Sequence, residues 1–128
     1  MDGAQQSDLE TIEALAVAYC EAIHQSRPEV FAVMCHERFL MTAVDSDGGA
    51  TFWDKAAYLE RVGARDPFPG DASYQILNID VSGSEAAHVK LWVDVPPRRF
   101  EDYLGFFRVD GDWKLITKLF RTASGPAL

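Results

Sequence analysis

The sequence predicts a single α+β domain, in which three N-terminal helices pack in a curved mixed or antiparallel sheet. Apolar residues recur at helical spacing near the N-terminus, and four strand-like runs follow one another in the second half. Asp110-Gly111 joins the last two runs as a tight turn. At 128 residues and 48% apolar content, the chain can form one core but not two. The domain is expected to span residues 1–128, with loose ends at about 1–6 and 123–128.

Caps and prolines mark the ends of three predicted helices. Ser7-Asp8-Leu9-Glu10 has the pattern of a capping box, Pro28 suits the first turn of a helix, and Asp54 is a candidate N-cap. The predicted helices run from Ser7 to about Ser26, from Pro28 to about Cys35, and from Lys55 to about Ala64.

Runs rich in β-branched and aromatic residues, bounded by turn residues, predict five strands. One strand lies between the second and third helices, and the other four follow the proline-containing loop from Arg65 to Gly70. The predicted strands are Phe39 to Val44, Tyr74 to Val81, Ala86 to Val95, Phe100 to Val109 and Trp113 to Thr122.

Charge and cysteine content exclude several classes of function. A net charge of −8 and a pI near 4.7 repel phosphate backbones and anionic lipids, so neither nucleic acid nor a membrane is an expected partner. The N-terminus lacks a signal-peptide pattern, and no apolar run is long enough to span a membrane. Cys20 and Cys35 lie in apolar helical segments and are expected to be reduced core thiols. These features predict a cytoplasmic protein.

No residue pattern indicates a metal site or a cofactor. Cys20, His24, Cys35 and His36 lack the paired spacings of structural zinc. Asp45-Ser46-Asp47-Gly48 resembles the start of a calcium loop, but Ala56 occupies the position of the bidentate glutamate. The expectation is therefore no metal and no cofactor.

The Asp110-Gly111 turn sets the pairing of the last two strands. With these two residues as the loop, a continuous ladder places Tyr103 opposite Lys118 and Glu101 opposite Phe120. Lys118 would then share an inner face with aromatic residues. Such a lysine could anchor an anionic ligand or act as a base or Schiff-base nucleophile, or it could be a structural residue paired with Glu101.

The same register predicts an apolar outer face on this hairpin. A face of this kind is more often buried in a dimer than left in water, so a homodimer is expected. A register slip of one residue is the alternative, because it would exchange the two faces and turn these residues into core. The residues predicted for the dimer interface are Phe100, Leu104, Phe106, Leu115 and Leu119.

Several short segments together resemble the nuclear transport factor two-like superfamily, which includes ketosteroid isomerase-like and polyketide cyclase-like proteins. Within it, the chain is most similar to the branch named "putative lumazine-binding". The resemblance implies a cone-shaped, cystatin-like domain, and it extends from about the first helix to Arg121, where many members have a histidine. The matching residues are Cys35-His36, Asp47-Gly48-Gly49, Asp102-Tyr103-Leu104, Val109-Asp110-Gly111, Trp113-Lys114, Lys118 and Phe120.

The resemblance also implies where ketosteroid isomerase-type groups would lie. Tyr19 matches the phenol of the oxyanion hole. A gap-free count from Tyr19 puts the proton-shuttling carboxylate at Ala43, and the second acid of the oxyanion hole corresponds to Gly105. Without these two acids, isomerase chemistry of that type loses its base and part of its charge stabilisation. The expectation leans towards a protein that is not an enzyme, with no assignable catalytic residue.

The candidate pocket residues are aromatic or ionisable side chains expected near the inner face of the sheet. His36 could reach the cavity mouth, although a histidine that follows a helix is more often structural. Trp92 lies on the polar face of its strand, and the loop Pro96 to Arg99 leaves open which face lines the cavity. The full set is Tyr19, His36, Trp53, Tyr58, Trp92, Glu101, Tyr103, Lys118 and Phe120.

These inferences combine into one preferred function and two alternatives. The preferred function is the binding of a small planar or anionic molecule in an internal pocket. The first alternative is a lyase, isomerase or cyclase with an unusual site built on Lys118, Tyr103 or His36. The second is a non-catalytic dimerisation module whose pocket is filled by its own side chains.

Overall fold

The structure is a computed structural model that describes residues 3–128, and it confirms the predicted α+β fold. Three helices lie in the first half of the chain, and each strand after residue 73 follows the previous one directly. The elements are α1 Gly3–Gln25, α2 Pro28–Met34, β1 Cys35–Val44, β2 Ala50–Asp54, α3 Lys55–Gly63, β3 Tyr74–Ser82, β4 Ala86–Val95, β5 Arg98–Val109 and β6 Asp112–Ser124.

The described strands form one mixed sheet in the order β2-β1-β6-β5-β4-β3. All neighbouring strands are antiparallel except β1 and β6, which are parallel. The helices cover one face of this sheet, here called the inner face, and the core lies between them. Its largest fully buried side chains include Tyr19, Phe31, Phe39 and Phe106. The opposite face is here called the outer face.

The helix ends agree with the sequence signals at α3 but not at α1. Asp54 caps α3, because its Oδ1 accepts a hydrogen bond of 2.9 Å from the Ala57 amide. α1 already begins at Gly3, so Ser7 is helical and does not form the predicted capping box. The loose end expected over residues 1–6 is thus helical from Gly3 on, and residues 1 and 2 lie outside the described part of the chain.

A bulge in β6 overturns the predicted register of the last hairpin. Val109 pairs with Asp112 around the expected Asp110-Gly111 turn, and the ladder is regular as far as Phe106 and Leu115. The next pair is Gly105 with Thr117, so Ile116 is an extra residue in β6. Because side chains alternate along a strand, the extra residue moves every later position of β6 to the other face.

The bulge corrects the predicted pairs. Lys118 pairs with Leu104 rather than Tyr103, and Phe120 pairs with Asp102 rather than Glu101. Lys118 still points into the domain, but Tyr103 and Glu101 lie on the outer face because their neighbours on β5 are buried.

The predicted dimer face is corrected by the same shift. Four of its five residues lie in the core, where the register-slip alternative placed all five, and only Leu119 is exposed, at 45%. The four core residues are Phe100, Leu104, Phe106 and Leu115.

The burial pattern of β4 shows which of its two faces lies against the helices. Val89, Leu91 and Val93 are buried against the helices, so the aliphatic face is the inner one. Val95 pairs with Arg98, which makes the connection to β5 a two-residue loop. Trp92 therefore shares a face with Tyr103, and that face is the outer one.

Two smaller features complete the fold. The side chain of Arg98 donates hydrogen bonds of 2.9 Å to the carbonyl oxygens of Pro126 and Ala127, so part of the C-terminal tail expected to be loose is held against β5. Within residues 3–128, no helix combines the length and the apolar character needed to cross a membrane.

The position of Gly105 beside the bulge predicts that a side chain there is destabilising. A Cβ on this residue would lie 2.5 Å from Thr117 Cγ2, so Gly105→Ala must displace the threonine or the bulge. We expect a loss of about 1 to 3 kcal/mol in unfolding free energy, measured by urea denaturation. Thr117→Ala alone should be close to neutral, and combining it with Gly105→Ala should recover much of the loss. Strictly additive effects of the two substitutions would contradict this contact.

Candidate functional site

A cavity of about 350 Å³ opens between α3, the β4–β5 connection and the inner face of the sheet. Its apolar walls include Met41, Tyr58, Phe100 and Phe120. Four cationic side chains also line it, and no aspartate or glutamate is among the described lining residues. The cationic residues are Arg61, Arg65, Arg98 and Lys118.

Lys118 is the most enclosed of these cations. It lies on β6 between Met41 of β1 and Leu104 of β5, and it is 5% exposed. Its Nζ lies 4.8 to 5.2 Å from the ring centroids of Tyr19, Tyr58 and Phe120. Ammonium groups are attracted to aromatic faces at such distances, so the rings partly replace the lost water.

Asp102 is the acidic partner of Lys118, and the sequence analysis missed it. The carboxyl is fully buried on β5, and its Oδ2 lies 3.9 Å from Lys118 Nζ. The same oxygen accepts a hydrogen bond of 2.5 Å from the Tyr19 hydroxyl. The other oxygen, Oδ1, is buried without a hydrogen-bond partner.

Asp102 also corrects the expectation that Gly105 replaces the acid beside the Tyr19 phenol. Gly105 lies on the outer side of the bulge, whereas Asp102 reaches the phenol directly. The signal was present in the sequence, because Asp102 alternates with Phe100, Leu104 and Phe106 and therefore lies on the apolar face of β5. An acid in such a series is rarely buried unless it is paired.

Burial sets the protonation equilibria of this cluster. It raises the pKa of Asp102, an effect that Lys118 and the hydrogen bond from Tyr19 oppose. Burial lowers the pKa of Lys118; Asp102 opposes this shift, while Arg65 and Arg61 add to it. Burial also raises the pKa of Tyr19 and of Tyr58 well above the usual value, so both phenols stay neutral.

The cysteines are free thiols in the core, as predicted. Cys20 and Cys35 form no disulfide, and burial raises the pKa of Cys35 to about 12. Thiols this basic are poor nucleophiles near neutral pH. Among residues 3–128, no group of three or more His, Cys, Asp or Glu side chains is placed to hold a metal ion.

The structure brings together five of the nine predicted pocket residues. Tyr58, Lys118 and Phe120 line the cavity, and the buried Tyr19 ring lies next to it, with its centroid 5.2 Å from Lys118 Nζ. Trp53 packs against Phe120, with the ring centroids 5.9 Å apart. It lines an adjoining hollow of about 810 Å³, and Arg61 and Arg98 line both this hollow and the cavity. Arg61 lies 5.2 Å from the Trp53 ring centroid. The cavity beside Lys118, here called the inner cavity, and this adjoining hollow are thus neighbouring parts of one concave region.

The other four predicted residues do not line the cavity, because strand alternation turns them outward. Cys35 pairs with the inward Leu115, so the adjacent His36 points away and contacts Phe107 at 5.2 Å. The remaining three have partners on the outer face. The Arg99 guanidinium lies 3.7 Å from the Trp92 ring centroid, and Arg121 Nη1 lies 2.7 Å from Glu101 Oε1. The Tyr103 and His88 rings stack with their centroids 5.5 Å apart.

The chain is similar to known proteins in both sequence and fold. The profile of a family described as "Putative lumazine-binding" matches residues 7–121. A search of curated proteins found no match.

Solved structures with the same fold are labelled NTF2-like, ketosteroid isomerase-like or cystatin-like. An NTF2-like protein of unknown function from Shewanella baltica has a TM-score of 0.84 at 19% identity, over 98% of this chain and 99% of that one. One from Silicibacter pomeroyi has a TM-score of 0.84 at 17% identity, over 92% and 98%.

A ketosteroid isomerase-like protein from Erwinia carotovora atroseptica has a TM-score of 0.72 at 16% identity, over 92% of this chain and 98% of that one. At these identities the likeness establishes the NTF2-like fold and not an activity. Because the family profile covers nearly the whole domain, the chain belongs to the putative lumazine-binding family.

Proposed function

We propose that this protein binds a small anionic organic molecule in the inner cavity. The observation that carries the proposal is that, within residues 3–128, four basic side chains and no acidic one line the cavity, although the protein has a net charge of −8. Positive potential concentrated in a cleft of an acidic protein attracts anions to that cleft.

The arginines at the mouth suit a carboxylate or an enolate. Arg65 Nε is buried and has no hydrogen-bond partner. Arg61 is exposed beside Trp53, and Arg98 uses its Nε and one terminal nitrogen on the C-terminal tail. Guanidinium groups bind planar oxyanions through parallel hydrogen bonds, so Arg65, which lines the cavity and donates no hydrogen bond among the described residues, is a suitable anchor.

The inner part of the cavity suits a flat, apolar body. Tyr58, Phe100 and Phe120 form its aromatic walls, and the volume of about 350 Å³ lies within the usual range for small-molecule sites. The family description mentions lumazine, which is a flat heterocycle, and it agrees with this shape. A cavity of this size also argues against a pocket filled by its own side chains.

We propose in addition that the protein is a homodimer, with a corrected interface on the outer face. Phe52, Thr42 and Leu119 are neighbours across β2, β1 and β6, and Tyr103 continues the row on β5. Phe52 and Leu119 are exposed, as are Leu40 and Val44 on the same three strands. Contiguous apolar surface of this kind is typical of a protein interface. A cytoplasmic location is also part of the proposal.

Anion binding is tested with matched ligand pairs. Cinnamate and lumazine-6-carboxylate should raise the melting temperature, whereas cinnamamide and unsubstituted lumazine should do so less or not at all.

Arg65→Met should weaken carboxylate binding about tenfold, as expected for one charge-assisted hydrogen bond, measured by isothermal titration calorimetry. Arg38→Met is the control, because Arg38 is exposed and lines neither cavity. Equal affinity for acids and amides would refute the proposal.

The buried pair predicts a pH-dependent stability effect. Lys118→Met leaves Asp102 buried without its cation, so unfolding free energy should fall by about 3 kcal/mol or more at neutral pH. A buried carboxyl with a raised pKa binds its proton more tightly in the folded state, so stability declines as pH rises through the folded pKa. The loss should therefore be smaller in acid, and Asp102→Asn added to Lys118→Met should recover part of it. Urea titrations across pH would show this, and a pH-independent loss would contradict it.

The dimer interface is tested with two equally exposed leucines. Leu119→Asp should convert the dimer to a monomer in sedimentation velocity, because it buries a charge in the interface. Leu77→Asp on β3 should leave the dimer intact, since Leu77 is 44% exposed but lies on the far strand of the sheet. A monomeric parent protein, or dissociation by both substitutions, would rule out this interface.

A further inference from the structure

Lys118 differs from the other lysines in what its amine contacts. The chain has four lysines, and those other than Lys118 lie at the surface or donate to backbone oxygens. Lys55 donates hydrogen bonds of 2.8 and 3.0 Å, and Lys114 one of 2.9 Å; Lys90 lies over the Tyr103 ring on the outer face. Lys118 Nζ makes no hydrogen bond in the described structure, and its nearest acidic atom is Asp102 Oδ2 at 3.9 Å.

This environment makes the neutral amine of Lys118 easier to reach than that of an exposed lysine. An enclosed ammonium without hydrogen bonds carries a large desolvation cost, which one carboxylate at 3.9 Å and three aromatic rings offset incompletely. Burial and the nearby arginines lower the pKa of Lys118, while burial raises that of Asp102. Both shifts reduce the free-energy cost of moving a proton from the amine to the carboxyl. In that neutral form, Nζ has a free lone pair at the wall of the cavity.

We propose that Lys118 is an amine nucleophile that forms an imine with an aldehyde or 2-oxo acid whose carboxylate is held by the arginines at the cavity mouth. This inference rests on the proposed anion binding, because it places the same class of ligand in the same cavity. It adds a reactive carbonyl to the description of the ligand.

Asp102 and Tyr19 supply the proton transfers that the step requires. The Nζ lone pair attacks the carbonyl carbon, and the oxygen accepts the proton that leaves the nitrogen, which gives a carbinolamine. The C–O bond then breaks, and the oxygen leaves as water with a proton from the Asp102 carboxyl. The remaining Nζ proton returns to Asp102, so the net change is amine plus carbonyl to imine plus water. The hydrogen bond from Tyr19 to Asp102 Oδ2 holds the carboxyl on the lysine side.

Reductive trapping tests the inference on the intact protein. Glyoxylate with cyanoborohydride converts an imine to a stable adduct, which peptide mapping assigns to one of the four lysines. We expect Lys118 to be labelled at least tenfold faster than Lys55, Lys90 or Lys114 at neutral pH, with the pH dependence of its labelling displaced to lower pH. Labelling of Lys118 no faster than of the three internal controls would overturn the inference.

Two variants and a second probe separate the possible reasons for the result. Lys118→Arg keeps the positive charge and should lose the selective adduct. Asp102→Asn should slow labelling at Lys118 but not at the other lysines, because only Lys118 uses the Asp102 carboxyl to give and accept protons. Propanal lacks the carboxylate, so selective but equal labelling by propanal and glyoxylate would retain the amine and reject anion binding. Carboxylate binding without an adduct at Lys118 would reject the amine alone.

Discussion

The bulge at Ile116 is the constraint on which the inner face of the sheet depends. It shifts the pairing of β5 and β6 by one residue, so that Phe106 and Leu115 on one side of it, and Leu104 and Lys118 on the other, all point towards the helices. A regular ladder would leave either Leu115 or Lys118 on the outer face. Gly105 lies beside the bulge, where a Cβ would contact Thr117. One added residue thus makes an apolar core and a buried cation compatible on the same two strands.

Burying Asp102, Tyr19 and Lys118 together costs this small domain solvation free energy. Removing two charges from water costs several kcal/mol per ion, and a separation of 3.9 Å recovers only part of that cost. Within the described residues, Asp102 Oδ1 remains without a hydrogen-bond partner. An apolar trio of similar volume would stabilise the fold at least as well. The cluster is thus better explained by the adjacent cavity than by stability.

Charge is distributed unevenly between the surface and this cavity. The protein carries 20 acidic and 12 basic residues, yet the described cavity lining contains four of the basic residues and none of the acidic ones. Neighbours of the same fold bear labels that range from unknown function to ketosteroid isomerase-like. The fold therefore supplies the concave inner face, and side chains such as Arg65 and Lys118 determine its chemistry.

The sequence by itself determined the α+β class, the three helices, five of the six described strands, the Asp54 cap and the Asp110-Gly111 turn, because each depends mainly on near neighbours in the chain. The strand β2 was not predicted. The sequence also indicated Lys118 and Tyr19 as unusual. Only the tertiary structure decided which residues meet them. Ile116 carries no local sign that it is an extra residue, since a bulge depends on how two strands pair over their whole length. Asp102 lies beside Lys118, and Tyr103 and Glu101 do not, because that pairing decides which face of β5 Lys118 shares. Trp92 lies outside the site because β4 turns its aliphatic face towards the helices.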